Sequence, residues 1–271
     1  MKRAYTISIL TLALLSCTSS KLYYSSDAED WKTNSLDQEE LIYEVYLIGD
    51  AGSATLDVQE PNLKLLQNKL EESSERSAVV FLGDNIYTKG LPDSTHPERD
   101  FYEARIIEQM KTVKNFKGRV FIIPGNHDWD DGGKDGLKAV KRQEEFVEAY
   151  LNRGNTFLPD DGFPGPVDIE LMDDDAHPLL RDDIRLIILD TQWWLHKYDK
   201  SYGDTGEYEL VDGGDFLNEF EDILIKRQKD FLLVAAHHPL ITKGPHGGYL
   251  PPSTHIRPPV FGTFYALYRR V

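Results

Sequence analysis

Five short apolar runs constrain this chain more than any other feature: residues 41–48, 78–82, 120–123, 186–190 and 231–234. Each is too short for a buried helix and is rich in Val, Ile, Leu and Phe, which predicts strands covered on both faces. Helix-period segments lie between them. Pro61 opens one in which Leu63, Leu66 and Leu70 recur at helical spacing, and others are predicted over 101–113, 138–151 and 216–227. Apolar strands separated by helices imply a layered α/β domain. The Pro/Gly/Asp-rich stretch 153–185 has little periodicity and reads as a long surface excursion with room for one short strand. No internal repeat is visible.

Charge narrows the function. The 271 residues carry 30 basic and 46 acidic side chains, a net charge of −16. That field repels polyphosphate backbones, so no nucleic-acid partner is expected. Small phosphorylated substrates remain compatible, because a bound metal reverses the local sign. Cys17 is the sole cysteine, which excludes intrachain disulfides and thiolate zinc sites.

Lys2 and Arg3 precede an apolar run at 7–16, about half the roughly 20 residues that span a bilayer, in the layout of an export signal. Leu14-Leu15-Ser16-Cys17 resembles a bacterial lipobox. The resemblance implies a leader over 1–16, lipidation at Cys17, a polar tether over 17–40 and a domain over 41–271. The protein is then exported and anchored to a membrane by lipid. An ordinary leader with a chance cysteine is the plainer alternative.

Asp50, Asp84, Asn126 and His237 each follow an apolar run by two or three residues. Singly, a Gly-Asp after a strand is a turn or helix cap, and a histidine there is a core residue. Together, at the carboxyl ends of strands, where open α/β sheets bind ligands, they make a converging set. Oxygen and imidazole donors without thiolate suit iron, zinc or manganese.

These residues sit in blocks that resemble the calcineurin-like metallophosphoesterases and, within them, the purple acid phosphatases. Gly49-Asp50-Ala51-Gly52, Gly83-Asp84-Asn85-Ile86-Tyr87, Gly125-Asn126-His127-Asp128 and Val234-Ala235-Ala236-His237 look like the first four blocks, in order. Most relatives carry a ligating histidine where this chain has Gly52, while Tyr87 stands where purple acid phosphatases place a ligating tyrosine. The spacing of His237-His238-Pro239 and Pro245-His246-Gly247 is similar to that of the small tartrate-resistant enzymes.

The resemblance, which runs from about residue 41 to 246, implies a four-layer α-β-β-α sandwich and a dinuclear centre of Fe(III) with Fe, Zn or Mn. Asp84 would bridge the two metals, Asp50 and Tyr87 would hold the first, and Asn126 and His237 the second. His127 and His246 would bind the phosphoryl group or protonate the leaving oxygen; a His127 simply held by Asp128 is the bland alternative. The family's last block, Gly-His-x-His, has no counterpart after His246, so a truncated C-terminal part is expected. The expected activity is hydrolysis of small phosphate esters, most simply monoesters. A phosphodiesterase of the same fold and a non-catalytic, acidic surface-binding lipoprotein are the alternatives. His96, His177, His196 and His255 read as surface residues. The acidic clusters at 173–175 and 182–183 read as solvated loops, with calcium binding as the alternative.

Overall fold

The computed structural model describes residues 41–173, 175, 182–202 and 212–239. The leader, the tether, His177, His246 and His255 lie outside the described residues.

All five predicted strands form, and a sixth joins them. Strands β1 (Glu44–Ile48), β2 (Ser77–Phe81) and β3 (Arg119–Ile122) make a parallel sheet in that order. Its register places Ile48 beside Phe81 and Phe81 beside Ile122, so the three carboxyl ends finish flush. Strands β4 (Val167–Met172), β5 (Ile184–Ile188) and β6 (Phe231–Ala235) make the second sheet. Here β4 runs antiparallel to β5, and β5 runs parallel to β6 with Ile188 beside Ala235. The helices are α1 (Pro61–Glu72), α2 (Arg99–Val113), α3 (Gly136–Leu151), α4 (Thr191–Leu195) and α5 (Gly213–Lys226). Among the described residues no helix is long and apolar enough to cross a membrane.

β2 shows why its run is unbroken. Alternate side chains point to opposite faces, and every one of its five residues is buried. Val79 and Phe81 enter a cluster with Leu63, Leu66, Leu70, Ile106, Met110 and Val140 from the first three helices. Ala78 and Val80 face the other way, against Ile169, Leu171, Leu186, Ile188 and Ala235 of the second sheet. The observed layers are therefore helices, sheet and sheet, with the central strand dry on both sides.

Two expectations are corrected. Over its described residues 153–173 the stretch is not a surface excursion: Thr156, Phe157 and Leu158 are buried, and Phe157 bridges Ile122 at the edge of the first sheet. β4 then supplies the edge strand of the second sheet. The Pro, Gly and Asp residues mark turns between short buried pieces, too brief to show a period. His196 is buried rather than on the surface, only 2% exposed and packed against the Trp129 ring at 4.7 Å. His96 is exposed as expected. Asp183 pairs with Arg185 at 3.4 Å, so part of the acidic stretch 182–183 is engaged in a fully structural contact.

Asp190, wholly buried after β5, fixes the entry to α4. It accepts hydrogen bonds from the Gln192 and Trp193 amides and from Trp129 Nε1, the last at 2.7 Å. Burial, with smaller opposition from these donors, pushes its carboxyl up to about 7. A raised carboxyl favours the folded state at low pH: between about 4 and about 7 the native protein binds a proton that the unfolded chain has released. Asp190→Asn should therefore lose stability relative to wild type as pH falls through that window, measured by denaturant unfolding across pH. A difference between the two proteins that is independent of pH would refute the assignment.

Candidate functional site

The parallel strands end flush, and the loops that leave them are hydrogen-bonded to one another. Leu82 N–H donates to Ile48 O at 2.7 Å, and Asp50 N–H to Gly83 O at 3.1 Å. Gly52 N–H donates to Asp84 O at 3.0 Å, and Tyr87 N–H returns to Gly52 O at 3.1 Å. Asp50 and Asp84 both adopt left-handed backbone, at φ 57° and 55°, a region costly for most side chains and best tolerated by Gly, Asn and Asp.

Gly52 is explained by this contact. A Cβ there would lie 2.5 Å from Asp84 O and 2.6 Å from Ile86 N. No larger side chain fits while the two loops lie together, so the missing imidazole is a packing requirement of this chain. Gly125 is equally constrained, since a Cβ would meet Asp84 Oδ1 at 2.4 Å and His237 Cε1 at 2.9 Å.

The expected donors do gather. Tyr87 Oη donates to Asp50 Oδ1 at 2.8 Å. Burial first, then the bond to Asp50 and the nearby Asp84 charge, push the Tyr87 phenol strongly upward. His237 Nε2 lies 3.2 Å from Asn126 Oδ1 and 3.4 Å from Asp84 Oδ1. His237 Nδ1 faces Leu82 O at 2.8 Å, and a carbonyl can only accept, so that nitrogen carries the proton. In the neutral ring Nε2 then presents a lone pair to two oxygen acceptors, an arrangement that a cation between them would resolve.

Donor separations near 3 Å are those of ligands about 2 Å from a common ion at right angles. Asp84, Asn126 and His237 therefore fit one ion, and Asp50 with Tyr87 fits a neighbour. Among the described residues no group of three or more His, Cys, Asp or Glu side chains forms a metal cage; the set here depends on a phenol and an amide. His127 stands beside it. Its Nδ1 donates to Thr88 O at 2.6 Å, its Nε2 lies 3.9 Å from Asp84 Oδ2, and its ring is 4.4 Å from Tyr87. The carbonyl of Thr88, rather than Asp128, holds the imidazole.

Asp128 has another task, one the sequence reading missed. Fully buried, it accepts from Asn85 N at 3.1 Å, Asn85 Nδ2 at 3.1 Å, Ile86 N at 3.2 Å, Gly125 N at 2.7 Å and Gln143 Nε2 at 2.9 Å. Desolvation raises its carboxyl to about 6 against the pull of those donors. Asn85 in turn donates to Ile123 O at 2.8 Å, and Gln109 Nε2 to Asn85 O at 2.7 Å. The signal was present: Gln109 and Gln143 each interrupt the buried apolar stripe of a helix.

Comparison with known proteins identifies the family. The family model described as calcineurin-like phosphoesterase matches residues 43–262. No curated protein matches the chain. A solved structure of a protein of unknown function from Aquifex aeolicus aligns at 18% identity over 74% of this chain and 81% of its own, with a TM-score of 0.29.

Asp128→Ala should strip partners from buried amides in two loops and a helix at once, costing at least about 3 kcal/mol. Asp128→Asn, which keeps the volume but donates where it should accept, should fall between. Equilibrium denaturation measures both, and an alanine variant within about 0.5 kcal/mol of wild type would remove Asp128 from this role.

Proposed function

The chain belongs to the calcineurin-like phosphoesterases, metal-dependent hydrolases of phosphate esters, and on that premise we propose that it cleaves phosphomonoesters on a centre of Fe(III) with Fe, Zn or Mn. The observation that carries this reading is Tyr87. Its hydroxyl meets Asp50 across loops closed by Gly52, at the position where the resemblance implies an imidazole in most relatives. With the phenol pushed upward by its surroundings, only a strongly acidic cation would displace its proton, and ferric iron is the natural one.

In this reading Asp50 and Tyr87 would hold the ferric ion, Asn126 and His237 would hold the second ion, and Asp84 would serve both. When bound, the pair supplies charge neutralisation for the phosphoryl oxygens and a more acidic water. His127, fixed through Nδ1 on Thr88 O, keeps Nε2 directed toward Asp84; in its protonated, imidazolium form Nε2–H would hydrogen-bond the ester and pass that proton to the leaving oxygen, leaving the neutral ring with its remaining proton on Nδ1. His246 is a second candidate for that task. Four layers complete the proposed fold. Lipid at Cys17, with 17–40 as a tether, holds the domain at a membrane surface.

Iron-loaded protein should be coloured through phenolate-to-iron charge transfer, and Tyr87→Phe should bleach it while far-ultraviolet circular dichroism is retained. Asp84→Ala should lower kcat/KM for an aryl phosphate by several decades, since it would contact both ions. A colourless, iron-free and fully active protein would overturn the ferric assignment, and preference for an aryl phosphodiester would overturn the monoester assignment.

The anchor has its own test. Cys17→Ala should move the exported protein from the membrane to the soluble fraction. Retention in the membrane at equal yield would exclude lipidation at that residue.

A further inference from the structure

Next to the candidate metal centre the surface opens into a cavity of about 430 Å³, a size that suits a small metabolite. The loop after β2 and the first turns of α2 and α3 wall it. It adjoins the site through the chain itself. Lys89, on its wall, follows the Thr88 whose carbonyl receives His127 Nδ1–H, and Asp130 lies three residues beyond His127. Gly90, at φ +67°, lies so close over the Asp128 carbonyl that a Cβ would come within 2.6 Å of it. At about 3.8 Å per residue, the cavity wall begins within one small molecule's length of Tyr87 and His127.

The charges inside are unequally committed. Asp93 accepts from Thr95 N at 2.9 Å and Thr95 Oγ1 at 2.8 Å. Asp135 pairs with Lys138 at 3.0 Å. His96 accepts the Glu98 amide at Nδ1, 3.2 Å away, which leaves the proton of the neutral ring on Nε2. Arg142 is anchored through Nε to Leu91 O at 3.1 Å, which leaves its two terminal nitrogens without a hydrogen bond among the described residues. Neither Arg142 nor Lys89 forms an ion pair among the described residues. A second cavity, of about 300 Å³, shares Asp93 and Arg142 with the first, so the guanidinium stands between two open spaces. The Thr95 hydrogen bonds first, and the Arg142 charge after them, hold the Asp93 carboxyl below its ordinary value, so Arg142 faces a carboxylate without closing an ion pair on it, and Lys89 stands on the same concave wall.

We propose that this cavity receives the alcohol portion of the phosphate ester, and that Lys89 and Arg142 select alcohols carrying a second phosphate. The proposal depends on the phosphoesterase reading above for what occupies the metal centre. The chemistry of the two residues fits the second group: a guanidinium oriented by its Nε offers paired donors to phosphate oxygens, and an ammonium adds a point charge. Asp130, the carboxylate left over, suits the hydroxyls of a carbon skeleton between the two phosphates. A bare aryl phosphate would use the centre and leave the cavity empty. The favoured substrates are then small bisphosphorylated metabolites, and whichever enzyme supplies them is a kinase acting on a monophosphate.

The test compares glucose 1,6-bisphosphate with glucose 6-phosphate, whose alcohols differ by one phosphate, using the full chain loaded with metal. The bisphosphate should show a kcat/KM at least about tenfold higher, the scale of one charge-assisted contact. Lys89→Gln and Arg142→Gln should each erase most of that ratio, and Arg142→Lys should retain part of it. Calorimetric titration of the same two sugars reads the subsite without turnover: the bisphosphate should bind more tightly, and both glutamine variants should lose the difference. Equal use and equal binding of the two sugars, or a preference that survives both glutamine substitutions, would overturn the proposal. Selective binding through Lys89 and Arg142 without any hydrolysis would uphold the subsite and sink the phosphoesterase reading. Metal-dependent hydrolysis without selectivity would do the reverse.

Discussion

The site depends on one buried carboxylate. Asp128 sits where the loops after β2 and β3 meet helix α3, and five donors from those three elements close on it. An isolated charge in such a place would cost several kcal/mol; converging N–H groups are what make it tolerable. The balance is visible in its carboxyl, pushed up to about 6 by desolvation while every donor pulls the other way. Because the donors belong to separate elements, satisfying Asp128 fixes the relative position of Asn85, Ile86 and Gly125. Asp84, Tyr87, Asn126 and His127 flank those residues in the chain, so their geometry follows from the same knot.

That fixed frame holds the loops in conformations that isolated turns would avoid. Asp50 and Asp84 occupy left-handed backbone, each at a cost of order 1 kcal/mol. Gly52, Gly83 and Gly125 are places where a Cβ would strike backbone atoms or the side chains of Asp84 and His237. Their absence of side chain lets two loops and the His237 ring close to within hydrogen-bonding distance. Flush strand ends from the parallel register bring the donors to one edge, and the cradle of glycines brings them into contact. The result is a set of acceptors facing acceptors around His237 Nε2, an arrangement that makes chemical sense with cations in place. The same loops continue into the cavity walled by Lys89 and Arg142, so the rigidity that sets the donors extends to the neighbouring surface.

Five strands, the four long helices and the gathering of Asp50, Asp84, Tyr87, Asn126 and His237 at the strand ends were legible in the sequence, because strand burial on both faces and turn chemistry at strand ends are local properties; the short helix Thr191–Leu195 was not. Helix starts moved by two or three residues, to Arg99, Gly136 and Gly213, where polar or glycine residues in the first turn give no periodic signal. The stretch 153–185 and His196 were misjudged for a related reason. Their burial comes from Ile122, Trp129 and Gly136, partners remote in the chain, and short pieces between turns carry no pattern of their own.

By itself, then, the sequence determined the layered α/β scaffold, the acidic surface and the inventory of oxygen and imidazole donors. Composition, alternation and the residues that end each strand are enough for those. The tertiary structure alone decided that Gly52 excludes a side chain, that Thr88 rather than Asp128 orients His127, and that Gln109 and Gln143 reach from two helices into one knot. Each of these is a contact between segments tens of residues apart. Only closure of the fold brings such groups within the few ångströms over which hydrogen bonds and steric exclusion act.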